Sequence, residues 1–355
     1  MARRLSYRQV YWALGTLLAL SVLASTTIGA FTFTPREVLR YLSQALGFSP
    51  RLAADDLGRS VLVRLRLPRV LLGGLTGAVL GVSGTIMQGL FRNPIVEPGL
   101  AGTSACAALG ASLMFVFGGT SLLAFASLGS LALPLLAFAG GFAATMLVYR
   151  VSSAFGRVNV FTLLLAGIAV NALCNAGTGY LSFIARDPQA RNITFWNLGT
   201  FTTADWRGVA LVAAAFAVCF VWTMRERKAL NALMLGEDEA AALGFEPRAL
   251  ILRLIVVNTL MVAVDAALVG VIAFVGLVVP HLLRIARSAD YRFLVPASAL
   301  LGAALMEIVD VAARLVIRPG ELPIGILTAV IGAPVFLAML LHQQRASRML
   351  GVTGD

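Results

Sequence analysis

An all-α, polytopic membrane fold follows from three observations on the sequence. Of its 355 residues 59% are hydrophobic and only 13% charged, the mean hydropathy is +0.88, and apolar runs of bilayer-crossing length recur along the chain. A soluble chain of this size needs more charge to cover its surface. The 34 glycines suit helices that pack closely in lipid, where small residues let backbones approach. The net charge of +11, carried by arginine except for Lys228, first concerns topology and lipid headgroups, and no nucleic-acid partner is expected. Cys106, Cys174 and Cys219 stand singly in apolar runs without metal-ligand spacing and read as small packing residues.

The elements follow in order. Arg3, Arg4 and Arg8 precede an apolar run that ends near Phe31, predicting an uncleaved first helix that enters from the cytoplasm. Residues 32–63 read as a polar extracytoplasmic segment that Pro50 and the Asp55-Asp56 pair keep from forming a long helix. Spans are predicted at about 64–88, 95–117, 121–148 and 160–184, each near the roughly 20 residues a crossing requires. A polar stretch then precedes a span at about 208–224. Residues 250–284 suffice for two helices joined by a turn near Asp265 to Gly270, and spans at about 293–316 and 323–342 complete about ten helices. Prolines 94, 98, 280 and 334 predict broken or half helices. Arginine-rich loops put both termini in the cytoplasm, although a second cluster, Arg36 to Arg69, falls on the outer side.

Between the two sets of spans lies the least hydrophobic stretch, RERKALNALMLGEDEAAALGFEPR, with nine charged residues in 225–248. Leu230, Leu233, Met234 and Leu243 predict the apolar side of two short helices. Gly236 is placed to end the first, Glu237, Asp238 and Glu239 suit the positive N-terminus of the second, and Gly244 fits a left-handed stop. Such a shelf either caps the bundle or docks a soluble partner. The strings GLTGAVLGVSGTIMQGLFRNP (74–94) and ALVGVIAFVGLVVPHLLRIAR (267–287) both run through glycine-spaced helix into a basic, proline-marked exit, a hint of the inverted repeats of transporters. The chain then reads as one permease domain, 1–355, with halves of about 60–200 and 250–342 around the shelf.

Four ordered strings resemble one family: RLPRVLLGGLTGAVLGVSGTIMQGLFRNPIVEPGLAG (66–102), LGEDEAAALG (235–244), FVGLVVPHLLR (274–284) and ELPIGILTAVIGAPVF (321–336). They are similar to the FecCD-type permeases, membrane subunits of bacterial ABC importers for ferric siderophores, haem and vitamin B12. The resemblance implies a type II importer permease fold with ten helices and two inverted repeats, in the bacterial inner membrane. It implies a homodimer around one path, two cytoplasmic ATPase subunits that use ATP and Mg, and a periplasmic binding protein. The chain itself lacks a P-loop, since its only lysine follows Arg227, so ATP is split elsewhere and no enzyme activity or bound cofactor is expected.

Carried over residue by residue, the resemblance makes Leu235, Gly236, Glu237, Asp238, Glu239, Leu243 and Gly244 the ATPase-coupling segment. It makes Arg66, Arg69 and Arg314 the groups that answer acidic residues of the binding protein. Headgroup anchoring of the first two, and pairing of Arg314 with Asp310 one turn earlier, are the rival readings. Met87 and Gln88 are candidates for the inner path. Arg186, Arg191 and Trp196, with Phe195 and Trp206, combine cations and flat apolar surfaces at an outer mouth. The string FRNPIVEPGL is somewhat closer to haem permeases, so haem is the first cargo expected, with a ferric siderophore and vitamin B12 after it. Asp265, Glu307, Asp310 and Glu97 are the intramembrane acids, read as structural before proton-coupling. An ion-coupled secondary transporter would show a clearer buried ion site, and a membrane metalloenzyme would need more than two separated histidines, His281 and His342.

Overall fold

The computed structural model describes residues 6–29, 31–48, 56–97, 99, 102–118, 131–154, 157–317 and 320–349. Pro50, Asp55 and Pro98, expected to break helices, lie outside them, as do the N-terminal Arg3 and Arg4. The side chain of His342 is likewise not described.

The first helix, α1 (Tyr7–Thr27), opens on a capping box in which Ser6 and Gln9 satisfy each other's backbone N–H groups. A short amphipathic helix, α2 (Pro35–Ala45), starts on the same device from Thr34 and Glu37, with proline in its first turn. Then α3 (Asp56–Ser60) runs through a π-helical turn, Val61–Arg66, into α4 (Leu67–Leu90) without a break. Further along are α5 (Thr103–Phe117), α6 (Ala132–Ser152), a two-residue antiparallel ribbon, β1 (Ser153–Ala154) with β2 (Arg157–Val158), and α7 (Val160–Ile184). The second half comprises α8 (Gln189–Asn197), α9 (Trp206–Leu233), α10 (Glu237–Ala242), α11 (Pro247–Val269), α12 (Val275–Ala286), α13 (Tyr291–Val316) and α14 (Ile324–Met349).

Among the described residues seven helices are long and apolar enough to cross a membrane, and three apolar helices are shorter: Thr103–Phe117, Val275–Ala286 and Ile324–Met339. Seven of the ten expected spans are thus met by helices of crossing length among the described residues, and the other three positions hold shorter apolar helices. The long 250–284 run divides where expected, but Asp265 is not at the turn. Helix α11 continues to Val269, and the break is made by Gly270, at φ 80°, and Phe274, at φ 69°. That break also separates the two similar strings: 74–90 lies within one unbroken helix, whereas 267–287 is interrupted.

Helix α4 is the axis of the bundle, with 83% of its apolar window buried, against 17% for α7. Its neighbours reach it through glycine. The Gly77 and Gly302 backbones of α4 and α13 touch reciprocally, and a β-carbon at Gly84 would overlap the Gly276 carbonyl of α12. Since backbone rather than a flexible side chain occupies that space, Gly84→Ala is expected to cost about 1–3 kcal/mol through overpacking. Thermal unfolding in detergent reads this directly, and an unchanged midpoint would mean that the α4–α12 contact is loose.

The reading of the cysteines needs correction. Cys106 of α5 and Cys174 of α7 form a disulfide, with Cα atoms 5.2 Å apart, and Cys219 alone is free and buried. Each lies singly in an apolar helix, so nothing in the linear pattern marks two of them as neighbours.

Candidate functional site

Polar side chains buried along α4 define the interior of the protein. At one end Arg69 donates to Asp310 at 2.8 Å and to Glu321 at 2.7 Å. Arg314 donates to the same Asp310 at 2.9 Å, and also to the Ser25 and Ile28 carbonyls and the Ser25 hydroxyl. Arg66 donates to the Thr26 and Phe31 carbonyls and lies over the Phe33 ring. A buried carboxylate between two guanidinium groups satisfies both signs at once, which an apolar interior requires. One turn away, Glu307 is buried against Gly73 and Gly74 of α4.

Arg66, Arg69 and Arg314, the groups expected to answer a binding protein, are each engaged in hydrogen bonds or ion pairs within the bundle. Arg66 and Arg314 are buried, Arg69 is nearly so, and together they bind the ends of α1, α4 and α13 to one another. The intrahelical Asp310–Arg314 pair is present, and Arg69, 241 residues from Asp310, joins it. Sequence spacing identified the first partner and could not identify the second.

Further along α4, Thr76 donates to Asp265 at 2.7 Å, Ser83 to Asn258 at 2.5 Å and Thr85 to Ser298 at 2.8 Å. Gln88 donates to the Gly276 carbonyl and accepts from Arg284. Met87 and Gln88, the candidates for the inner path, are packed between helices, almost without exposure. Polar residues at 76, 83, 85 and 88 of an otherwise apolar helix were the available signal for this spine, since buried polar groups need partners.

Two cavities flank the spine. One, of about 270 Å³, is lined by Glu97, Ser104, Asn171, Asn175 and Asn197. Glu97 accepts the Phe274 backbone N–H at 2.5 Å, which ties the segment after α4 to the start of α12. The Asn171 amide donates to the Gly99 carbonyl, and its buried oxygen has no partner among the described residues. The other cavity, of about 580 Å³, is bounded by Trp196, Phe195, Thr200, Asp205, Arg207 and Leu211. Arg186 and Arg191 are exposed beside it, Arg191 over the Phe195 ring. The proposed outer-mouth residues are therefore neighbours on and around α8. Met87 and Gln88 are not part of that group.

The shelf differs in one respect from expectation. Its first helix is the continuation of α9, unbroken to Leu233, and only α10 is short. Gly236 takes φ 148°, Glu237, Asp238 and Glu239 occupy the first turn of α10, and Gly244 takes the left-handed φ of 86° that halts it. Ala240 is packed inward, while Leu235, Asp238, Glu239 and Leu243 face outward. The inward connections come from residues the linear pattern did not single out. Asn231 donates to Asp290 at 2.8 Å and accepts from the Tyr291 N–H at 3.0 Å. The buried Tyr291 hydroxyl reaches Met234 and packs on Gly89 at the end of α4.

Partial burial would raise the Asp290 carboxyl, yet the Asn231 amide, the Arg292 N–H and the charges of Arg292 and Arg227 hold it below its ordinary value. A depressed carboxyl stabilises the folded state above its unfolded pKa, and that contribution disappears as pH falls through the folded value. Wild-type protein is therefore expected to lose more stability between pH 5 and acid than Asp290→Asn does. Parallel pH melting curves for the two proteins would contradict this linkage.

A bundle of broken and unbroken spans with a protruding α10 has the form of an importer permease. The FecCD transport family model matches residues 17–342, and the chain belongs to that family. It is 38% identical over 332 residues to the hemin transport system permease protein HmuU of Yersinia pestis, covering 92% of this chain and 94% of that one. It is 36% identical over 349 residues to the vitamin B12 import system permease protein BtuC of Escherichia coli O139:H28, covering 97% and 99%. A metal-chelate type ABC transporter solved in an inward-facing conformation superposes with a TM-score of 0.81 at 30% identity, over 94% of this chain and 99% of that one. The protein is a permease subunit of an inner-membrane ABC importer, and not an enzyme.

Proposed function

We propose that α10 is the plate on which a cytoplasmic ATPase subunit acts, and that two copies of the chain enclose a path for an intact metal chelate. The observation that carries the coupling role is the pairing of an outward face on α10 with inward ties through Asn231, Met234 and Tyr291. A push on α10 would pass through the 234–236 turn to the end of α9, and from Asn231 and Met234 to the start of α13. Both termini then lie in the cytoplasm, ATP and Mg belong to the two partner ATPases, and a periplasmic binding protein delivers the cargo at the opposite end. Its docking would rest on the rim that the Arg66, Arg69 and Arg314 network shapes, those arginines acting as positioning groups.

For the cargo, haem remains the first expectation, from the FRNPIVEPGL string and the aromatic, cationic surroundings of Trp196, Arg186 and Arg191. Vitamin B12 and a ferric siderophore remain the alternatives, and the likeness to BtuC gives the former direct support. All three are metals carried inside a chelator. The test is uptake by the full complex, with its ATPase and binding protein, of haem, cyanocobalamin and a ferric siderophore in parallel. Haem-dependent ATP turnover supports the first reading. Turnover with cobalamin or siderophore alone transfers the assignment to that chelate.

A further inference from the structure

We propose that Arg59 and Arg64 hold the phosphate of an anionic phospholipid at the outer cap of the bundle. The two arginines flank the start of the π-helical turn and line a cavity of about 220 Å³ with Ala45, Ser60 and Val63. Arg59 Nη2 pairs with Asp56 at 2.5 Å, while its Nη1 is buried without a partner among the described residues. Arg64 is exposed and has no hydrogen-bond or ion-pair partner among the described residues. A buried guanidinium N–H without an acceptor is costly, and a phosphate oxygen meets that need with charge as well as geometry. The cavity would hold several waters, enough room for a phosphodiester group.

The surroundings select lipid as the source of that phosphate. The cap has its own small core of Phe33, Val38, Tyr41 and Leu62, yet large apolar side chains on the same short elements point outward. Leu39, Leu57 and Leu65 are each more than 60% exposed. Leu39 lies on α2, and Leu57 and Leu65 lie at the α3 end of the long Asp56–Leu90 helix; water is a poor environment for all three. An amphipathic helix lying in the interface, with its apolar side on acyl chains and arginines at headgroup level, accounts for both features. Trp206 marks that level: its indole N–H donates to the Val63 carbonyl at 3.0 Å, and indoles favour the membrane interface.

The test is native mass spectrometry of the full chain released from nanodiscs of phosphatidylglycerol or phosphatidylcholine. Retained phosphatidylglycerol should fall at least fivefold in the Arg59→Gln, Arg64→Gln double variant, with phosphatidylcholine retention unchanged. Should the double variant fail to fold, Arg64→Gln alone removes an exposed, unpaired group and should lower retention at least twofold. Equal phosphatidylglycerol retention in wild type and variants overturns the proposal. So does inorganic phosphate that stabilises detergent-purified protein as much as the lipid does. Loss of binding-protein association with lipid retention unchanged would also overturn it, by assigning the arginines to a protein surface.

Discussion

Asp310→Ala is expected to prevent accumulation of well-folded protein. Asp310 is about 1% exposed and receives both Arg69 and Arg314, so its removal leaves two guanidinium groups with less compensation inside that end of the bundle. Breaking a buried ion pair by deleting one partner costs about 3–5 kcal/mol, mostly as the desolvation of the charge left behind. Here the loss also removes the ion pair that joins α4 to α13, because Arg69 would keep only Glu321. Asp310→Asn keeps the shape and an acceptor but not the charge, and should fall between wild type and alanine. The measurement is unfolding in detergent followed by size-exclusion profile. An alanine variant as stable and monodisperse as wild type would show that the network contributes nothing to holding these helices together.

The second large effect concerns α10. Leu243→Asp, or charge reversal at Glu237 and Glu239, is expected to lower transport at least tenfold and to abolish copurification of the ATPase. Insertion and unfolding should change little. Leu243 and Glu239 face outward, and an acidic residue in the first turn contributes only about 0.3–1 kcal/mol through the helix dipole. The loss would therefore be one of contact and not of fold. A leucine-to-aspartate variant that transports normally and retains its ATPase would remove α10 from the coupling interface.

Much of this architecture is legible in the chain, for a simple reason. Hydropathy and punctuation are local properties, so the limits of α7 and α13, the start of α14 and the left-handed Gly244 could be read from neighbouring residues. What hydropathy does not carry is azimuth. Arg66 and Arg314 sit at helix ends where an outward-facing cation and an inward-facing one have the same sequence context, and the structure turns both inward. The same limit hides Cys106 beside Cys174, Thr76 beside Asp265, and Asn231 beside Asp290. Each pair is separated by tens to hundreds of residues, and its members meet only when two helices are rotated to face each other. The shelf was misread for another reason: charged residues at 225–228 signal exit from the membrane, not the end of a helix, and α9 simply continues into water.

The unbroken passage from α3 through the π-helical turn into α4 has a mechanical consequence. Its 35 residues span about 52 Å at 1.5 Å per residue, well beyond the roughly 30 Å of a hydrocarbon core. A rod that long behaves as a lever. Its inner end, at Gly89, rests on Tyr291 and hence on the neighbourhood of α10, and its outer end carries the arginine-bearing cap. A tilt of about 5° about the Gly89 end would displace the far end by about 4–5 Å, more than the width of a hydrogen bond. Under the coupling proposed for α10, a push near Gly89 would reach the arginine-bearing cap enlarged by length alone.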